Sequence, residues 1–306
     1  MNDVSGDALL EAVEKLLHEG ADPNYIGRNG DTALINACCS GRLDIVKLLI
    51  SNGANLAILG GLNASCLLTA CSYEHLDVVK EILSNPEGRA LINIVDDNNE
   101  SPLYVACEYG YTDIVRELLT VPECDPNILN HDHKTALYQI CISAHEDWGM
   151  GFDEFGNFFD KYLNTLKELL KGSNIRVDPN IGNAVGTTPL HLASYYGYDK
   201  YVKELLLAPG CGADPNIPDN ANGTPLTWAA NRGNLAEIRM LLAGGADPNI
   251  VDGANMNALD YAWRKQHSYV IIELEDYFPT LQSLSTRCIK KHKIDITKVP
   301  RQLFPY

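Results

Sequence analysis

Apolar side chains recur at helical spacing along most of the chain, in short paired segments that end at glycine. In the clearest copy, residues 219–249, one stripe runs through Leu226, Ala229 and Ala230 at positions i, i+3 and i+4, and a second stripe occupies residues 238–242. Each stripe predicts a short helix with one apolar face. Two helices of this length cannot bury those faces alone, so the pattern predicts helix pairs that stack on one another.

Local signals set the ends of these predicted helices. Thr224 and Pro225 begin the first helix, because a threonine hydroxyl can cap its free N–H groups and proline lacks the N–H that the first turn leaves unbonded. Gly233 ends this helix, and Gly244 ends the second one. The Asp-Pro-Asn sequence that begins at Asp247 then predicts a turn.

The same signals repeat along the chain, with anchor spacings of 33, 36, 34, 53, 36 and 33 residues. The anchors of the first helices are Leu34, Leu67, Leu103, Leu137, Leu190, Leu226 and Leu259, and the Asp-Pro-Asn turns begin at Asp22, Asp125, Asp178, Asp214 and Asp247. This register resembles the ankyrin repeat, which has a period of about 33 residues and a first helix that opens with Thr-Pro-Leu-His, as at residues 188–191. The resemblance implies an all-α ankyrin-repeat solenoid of about seven and a half repeats over residues 1–278.

The first unit is incomplete. Residues 1–24 hold one clear apolar stripe, Val13, Leu16 and Leu17, which predicts a single helix from Ala12 to His18. Terminal repeats of a solenoid are commonly atypical, so we interpret this unit as a half-repeat that caps the stack.

The fifth unit is too long, because its second helix comes about twenty residues late, which predicts an insertion at about residues 144–159. The insertion contains Trp148, Phe152 and Phe155 among acidic residues. Exposed aromatic and acidic side chains are typical of a partner-binding finger. The alternative is that the two helices are longer here and their aromatic side chains pack on the neighbouring repeat.

No constellation with catalytic or metal-binding spacing is recognisable. Four of the nine cysteines directly follow the anchor motif, where a small apolar residue is expected, and no Cys-x-x-Cys pair occurs. These four, Cys38, Cys71, Cys107 and Cys141, are therefore predicted to be buried thiols. His191, in the Thr-Pro-Leu-His motif, is predicted to bond to the neighbouring turn and not to act as a base. We expect no enzyme activity, no cofactor and no metal.

The charge of the chain is unevenly distributed. The net charge is −16, but residues 279–306 hold six Lys or Arg against one acid and carry +5, which leaves −21 on the rest. An acidic solenoid repels nucleic-acid phosphates, so its partners are expected to be proteins. The sequence contains no run of eighteen apolar residues and no secretory signal pattern, which predicts a cytoplasmic or nuclear protein without a membrane partner.

Four large side chains occupy comparable places just before the stop of a first helix: Tyr73, Tyr109, Tyr196 and Arg232. In stacked repeats the first helices line one face, so these side chains are predicted to be exposed there. Tyrosine and arginine are enriched in recognition surfaces, which favours target binding. The alternative is that the tyrosines cover the seams between repeats.

Residues 279–306 hold two further segments that together resemble a SOCS box. The first puts an apolar stripe on a predicted helix, and its elongin-binding positions are Leu281, Leu284, Ser285 and Ile289. The second has a cullin-binding pattern with positions Val299, Pro300, Leu303 and Tyr306. Ser285 stands where the family usually has cysteine, and Val299 replaces leucine. Ankyrin repeats followed by such a box are the layout of the ankyrin repeat and SOCS box protein family.

Members of that family act as substrate receptors of a ubiquitin ligase. The resemblance implies a non-catalytic adaptor whose ankyrin repeats bind a target protein and whose SOCS box joins it to elongin B and C and a cullin scaffold. The alternative is an ankyrin scaffold or inhibitor that recruits no ligase. In that case residues 279–306 form a basic helix that caps the solenoid.

Overall fold

In the computed structural model, residues 4–149, 157–171, 176–208, 212–275 and 277 are described. Within these ranges the chain is helical and contains no strand. The helices are α1 (Val4–His18), α2 (Ala33–Cys39), α3 (Leu43–Ser51), α4 (Cys66–Ser72), α5 (Leu76–Ser84), α6 (Pro86–Arg89), α7 (Pro102–Glu108), α8 (Thr112–Leu118), α9 (Ala136–Gly149), α10 (Asn157–Lys171), α11 (Pro189–Tyr196), α12 (Asp199–Leu206), α13 (Pro225–Arg232), α14 (Leu235–Ala243), α15 (Ala258–Lys265) and α16 (Ser268–Glu275). The chain forms two compact units, Met1–Val177 and Asp178–Tyr306.

The first unit is a stack of helix pairs in two rows. The first helices of the pairs pack in the order α2, α4, α7 and α9, and the second helices pack in the order α3, α5, α8 and α10. The four anchor leucines of this unit lie between the rows and are at most 2% exposed: Leu34, Leu67, Leu103 and Leu137. The core is therefore a column of apolar side chains that each repeat extends.

The second unit has the same arrangement with three pairs. Helix α13 packs between α11 and α15, and α14 packs between α12 and α16. The anchors Leu190, Leu226 and Leu259 are again almost completely buried. The Leu-x-x-Ala prediction is thus confirmed in both units.

The helix ends follow the predicted signals. The Thr224 hydroxyl accepts a hydrogen bond from the Thr227 N–H, and Gly233 ends α13 in the left-handed conformation, with φ +83°. The same left-handed stop follows α2, α4, α7, α11 and α15, and Glu74 and Gln266 adopt it without being glycine. A side chain with a Cβ is strained there, so these two residues are held by their surroundings.

A hairpin precedes each first helix, and within each unit backbone hydrogen bonds link several of the hairpins to the next one. In the second unit the Asn220 N–H donates to the Val185 carbonyl at 3.0 Å, and the Gly253 N–H donates to the Ala221 carbonyl at 2.7 Å. In the first unit Asp97 donates in the same way to Leu62. These bonds fix the hairpins over the ends of the first helices, next to the candidate site.

The first repeat differs from its prediction. Helix α1 begins at Val4 and not at Ala12, so it is a single helix of 15 residues. Leu16 was expected on its apolar stripe but is 54% exposed, while Val13 and Leu17 are partly buried. The expectation was wrong at Leu16 because α1 packs mainly on α3, which covers only one side of the helix.

Both helices of the fifth repeat are longer than the helices of the other complete repeats, α2–α8 and α11–α16. Helix α9 has 14 residues and reaches Gly149, and α10 begins at Asn157 and has 15 residues. These helices account for the two ends of the predicted insertion. Phe152 and Phe155 lie outside the described residues, as do residues 279–306, and only the backbone is described at Trp148.

Candidate functional site

Two of the predicted target-binding residues lie in the first unit. Tyr73 follows α4 and Tyr109 follows α7, each as the C-cap residue of its helix. Their exposed fractions are 56% and 46%, which is high for large aromatic side chains. The repeat therefore presents both rings to the surface, because the left-handed residue that follows each of them turns the backbone away.

Aromatic and basic side chains surround these two tyrosines. The ring of Tyr109 stacks on that of Tyr111 with centroids 5.6 Å apart, and the Lys161 ammonium lies 5.1 Å from the centroid of Tyr111. The ring of Tyr73 stacks on that of His75 at 6.4 Å. Partial burial raises the pKa of Tyr109, and the nearby carboxylate of Glu108 adds to that shift, so its hydroxyl stays protonated and can donate to a partner.

The other two predicted residues lie in the second unit. Tyr196 is the last residue of α11, and Arg232 is the last residue of α13. The guanidinium carbon of Arg232 lies 4.7 Å from the ring centroid of Tyr195, and the ring of Tyr195 meets that of Tyr196 edge to face at 5.3 Å. Arg232 is exposed, while Tyr196 is partly buried. The tyrosine here is therefore part of an aromatic cluster as well as of the surface.

A pocket of about 310 Å³ lies beside this cluster, between the hairpins and the first helices of the last two repeats. Its walls are the side chains and backbone of Tyr195, Asp219, Ala221, Gly223, Thr227, Trp228, Asn231, Asp252 and Tyr261. The ring centroids of Tyr195 and Trp228 are 5.5 Å apart. We call this set of residues the hairpin pocket.

Each hairpin of the pocket contributes an aspartate bonded to an aromatic side chain nine residues later. The Trp228 indole N–H donates to Asp219 Oδ2 at 2.9 Å, and the Tyr261 hydroxyl donates to Asp252 Oδ2 at 2.5 Å. Burial, and then the bond to Asp252, raises the pKa of Tyr261 to about 12. Tyr261 is therefore a fixed donor to the aspartate.

The ring of His191 contacts that of Trp228 edge to face, with centroids 5.4 Å apart. Its Nδ1 accepts from the Thr188 N–H at 3.2 Å, and its Nε2 donates to the Gly223 carbonyl of the next hairpin at 3.0 Å. The predicted bond to the neighbouring turn is confirmed. Burial lowers the pKa of His191, so the ring is neutral and joins two repeats.

The cysteines and acidic residues that the structure describes form no recognisable chemical centre. Cys38, Cys71, Cys107 and Cys141 are free and completely buried, as predicted, and burial raises the pKa of Cys71, Cys107 and Cys141. Thiols of this kind are poor nucleophiles. Among the residues that the structure describes, no group of three or more His, Cys, Asp or Glu is placed to hold a metal ion.

Sequence reasoning found the exposed ends of the first helices but missed the hairpin pocket. The pocket does leave a signal, because Asp219 and Trp228 recur 33 residues later as Asp252 and Tyr261. In the first unit no aromatic residue stands nine positions after the corresponding hairpin residue, for example Val105 after Asp96. The pairing of aspartate with aromatic residue was missed because the two side chains meet only when the hairpin folds over the first helix.

A family model for ankyrin repeats matches the sequence three times, at residues 3–91, 67–148 and 199–277. The chain belongs to the ankyrin-repeat family. The helix pairs, left-handed stops and hairpins described above are therefore those of an ankyrin-repeat solenoid. Ankyrin repeats indicate a protein-interaction scaffold.

Solved structures show the same fold. The crystal structure of the ankyrin repeat domain of Bcl-3, a unique member of the IkappaB protein family, is similar with a TM-score of 0.65 and 24% identity, over 81% of this chain and 100% of that chain. The human ASB11 ankyrin repeat domain is similar with a TM-score of 0.58 and 24% identity, over 79% and 97% of the two chains. At this identity the likeness of each ankyrin domain shows the fold alone. A search of curated proteins gave no match.

Across residues 4–149, 157–171, 176–208 and 212–275, no helix combines the length and the apolar character needed to cross a membrane.

Proposed function

We propose that this ankyrin-repeat protein is a non-catalytic substrate adaptor of an elongin–cullin–RING ubiquitin ligase. The ankyrin repeats bind a target protein, and residues 279–306 bind elongin B and C and a cullin. The chemistry of ubiquitin transfer is then supplied by the ligase. The target-binding half rests on the structure, and the ligase half rests on sequence.

The exposed ends of the first helices carry the target-binding half. Tyr73 and Tyr109 in the first unit, and Arg232 in the second unit, are large side chains that are each ordered by contact with a neighbouring ring. Side chains that are already ordered lose little conformational entropy when a partner covers them. Tyrosine and arginine are also the residue types that most often dominate binding energy.

The order of the two segments in residues 279–306 carries the ligase half. Leu281, Leu284, Ser285 and Ile289 occupy the elongin-binding pattern, and Val299, Pro300, Leu303 and Tyr306 occupy the cullin-binding pattern. The net charge of residues 279–306 is positive, whereas that of the repeats is negative, which also marks residues 279–306 as a separate module. The competing function is an ankyrin scaffold or inhibitor that binds its partner and recruits no ligase.

Purification with elongin B and C separates these two functions. The whole chain is expected to retain both elongins, and a chain that lacks residues 279–306 is expected to lose them while keeping its helical circular dichroism spectrum. If the whole chain retains no elongin at micromolar concentration, the scaffold function takes the place of the adaptor.

A second experiment tests the target-binding surface in each unit separately. Tyr73→Ala with Tyr109→Ala, and Tyr196→Ala with Arg232→Ala, are each expected to reduce the proteins that cross-link to the repeats, without any change in elongin binding. Tyr269→Ala is the matched control, because Tyr269 is 78% exposed but lies on a second helix. If cross-linking falls no more in either double variant than in Tyr269→Ala, the target binds another surface. The next residues to change are then Trp148, Phe152 and Phe155.

A further inference from the structure

The hairpin pocket combines aromatic walls with two carboxylates that have no cationic partner. Asp219 and Asp252 form no ion pair with any residue that the structure describes, whereas Arg239 of the same unit pairs with Glu273 at 2.8 Å. Both aspartates are partly buried. These two carboxylates are stabilised by hydrogen bonds alone, so the pocket carries two negative charges that a positive group would offset.

The hydrogen bonds of the two aspartates leave room for another donor. A carboxylate has about four acceptor positions. Asp219 accepts from two backbone N–H groups through Oδ1 and from Trp228 through Oδ2. Asp252 likewise accepts from two backbone N–H groups through Oδ1 and from Tyr261 through Oδ2. One acceptor position therefore remains on each Oδ2, and these are the oxygens that carry the aromatic partners.

The aromatic walls favour a cation over a neutral donor. Trp228, Tyr195 and Tyr261 line the pocket, and the faces of such rings attract guanidinium and ammonium groups. The protein already shows this contact, because Arg232 lies 4.7 Å from the centroid of Tyr195. A second arginine, Arg264, is exposed and lies 3.7 Å from the Met256 sulfur. Neither arginine is bonded to the pocket aspartates.

The charge of the surrounding unit supports the same choice. Residues 178–277 hold twelve Asp or Glu against six Lys or Arg, a net charge of −6. A negative field of this kind attracts basic segments and raises their rate of association. An acidic or phosphorylated segment would meet repulsion both from the unit and from the two aspartates.

We propose that the hairpin pocket binds an arginine or lysine side chain of the target protein, with the aromatic rings of Tyr195, Trp228 and Tyr261 around the cation and the two Oδ2 atoms as its acceptors. This rests on the proposed function only in requiring a protein target. It assigns a chemical preference to the second unit, namely for a target segment of basic character.

The hydrogen bonds of Asn130 show that Asp252→Asn is a conservative way to remove one negative charge from the pocket. Asn130 occupies the corresponding hairpin position in the first unit, where its Oδ1 accepts from two backbone N–H groups and its Nδ2 donates to the Tyr104 hydroxyl at 3.0 Å. In Asp252→Asn the amide can therefore keep the hairpin bonds and donate to Tyr261, whose hydroxyl reverses its role. Only the charge and the open acceptor position are lost. Asp96→Asn is the matched control, because Asp96 has the same backbone bonds in the first unit.

The experiment titrates the whole chain with the probe acetyl-Gly-Arg-Gly-amide and observes the indole N–H signals in ¹H–¹⁵N spectra. The protein has three tryptophans, and the Trp228 signal is assigned by its loss in Trp228→Phe. We expect a saturable shift of the Trp228 signal with a millimolar dissociation constant. The matching peptide with citrulline, a neutral residue of the same shape, is expected to bind at least about five-fold more weakly.

The variants decide whether the pocket is responsible. Asp252→Asn is expected to weaken binding of the arginine peptide about five-fold, and Asp96→Asn is expected to leave it unchanged. Tyr195→Leu removes one aromatic wall by a different route and is expected to weaken binding as well, which keeps the test valid if Asp252→Asn does not fold. No saturable shift up to about 20 mM peptide, or equal binding of the citrulline peptide, would overturn the proposal. Both results are independent of whether residues 279–306 bind elongin.

Discussion

At the scale of single residues, the third position of each first helix in the second unit serves as an N-terminal cap. His191 Nδ1, Thr227 Oγ1 and Asp260 Oδ2 each accept a hydrogen bond from the backbone N–H of the residue three positions earlier. The imidazole of His191 also reaches the next hairpin, at the Gly223 carbonyl. The histidine therefore adds an inter-repeat bond to a cap that a smaller side chain also provides.

The burial of His191 makes stability depend on pH. Burial lowers the pKa of His191 below 6.5, so the unfolded chain takes up the proton first as the pH falls, and the folded state loses stability below about pH 6.5. In His191→Thr the threonine can cap α11 in the way that Thr227 caps α13. The substitution is expected to lower the free energy of unfolding by about 2–4 kcal/mol near neutral pH, because it leaves a cavity and an unpaired Gly223 carbonyl. It should also show a smaller loss of stability between about pH 7.5 and about pH 5.5 in urea unfolding. An equally steep loss in this variant would mean that other groups cause the pH dependence.

The asparagine of the Asp-Pro-Asn turn links consecutive repeats. Asn216 Nδ2 donates to the Gly245 carbonyl at 3.0 Å, and its Oδ1 accepts from the Asp247 N–H at 2.7 Å. Asn24 makes the same two bonds to the next turn in the first unit. The motif is therefore a connector as well as a turn.

The last copy of the motif provides a control for the cost of this link. The side chain of Asn249 bonds to Asp247 of its own turn, at 3.0 Å, and to no other residue that the structure describes. Asn216→Ala is expected to lower the free energy of unfolding by about 1–2 kcal/mol, because it leaves two backbone groups unpaired. Asn249→Ala is expected to change it by less than about 0.5 kcal/mol. Urea unfolding of the two variants measures the difference, and equal effects would show that the link contributes nothing.

At the scale of helices, stability depends on how many neighbours a helix has. Helix α13 packs on both α11 and α15, and its anchor Leu226 is 1% exposed. Helix α1 packs on α3, and Leu16 points largely to solvent. In a repeat protein such contacts with the nearest neighbours sum to the total stability.

Leucine-to-alanine changes at these two positions should therefore differ strongly. Leu226→Ala is expected to destabilise the protein by about 2–5 kcal/mol, because it opens a cavity shared by two interfaces. Leu16→Ala is expected to cost less than about 0.5 kcal/mol. The measurement is urea unfolding followed by circular dichroism. Similar losses at the two positions would contradict a stack in which each repeat contacts only its neighbours.

The elements show which features a sequence can predict. Caps, anchors and left-handed stops depend on residues within one turn of the chain, so Thr224 and Gly233 were assigned correctly. The prediction of the apolar face of α1 was wrong in part, because the sequence allows two helical stripes. One stripe is Leu10, Val13 and Leu17, and the other is Val13, Leu16 and Leu17. Only packing on α3 selects between them. The hairpin pocket could not be predicted for the same reason, since its aspartates and aromatic rings meet only when the hairpin folds over the helix.

At the scale of the whole molecule, the proposed function divides the chain into parts with different partners. The tail positions have no structural description, so they remain predictions from the pattern of residues 279–306. If the two segments bind separate partners, Pro300→Ala with Leu303→Ala should weaken cullin binding and leave elongin binding unchanged. Pull-down with elongin B and C present measures both. Loss of elongin in this variant would show that the two segments act as one.

The elongin contact itself is tested at Leu281 and Ser285. If Leu281 fills an apolar pocket of elongin, Leu281→Ala should lower the affinity by a factor of roughly 30 to 1000, because it removes about 2–4 kcal/mol of burial. Cullin should be lost with it, since elongin helps to form the cullin site. Ser285→Cys is expected to tighten elongin binding modestly, because a buried hydroxyl needs a partner and a thiol has little need of one. Calorimetry with purified elongin B and C measures both changes, and Tyr73→Ala is the control that should leave this affinity unchanged. A chain that binds no elongin at micromolar concentration, and is not rescued by Ser285→Cys, would be an ankyrin scaffold and not an adaptor.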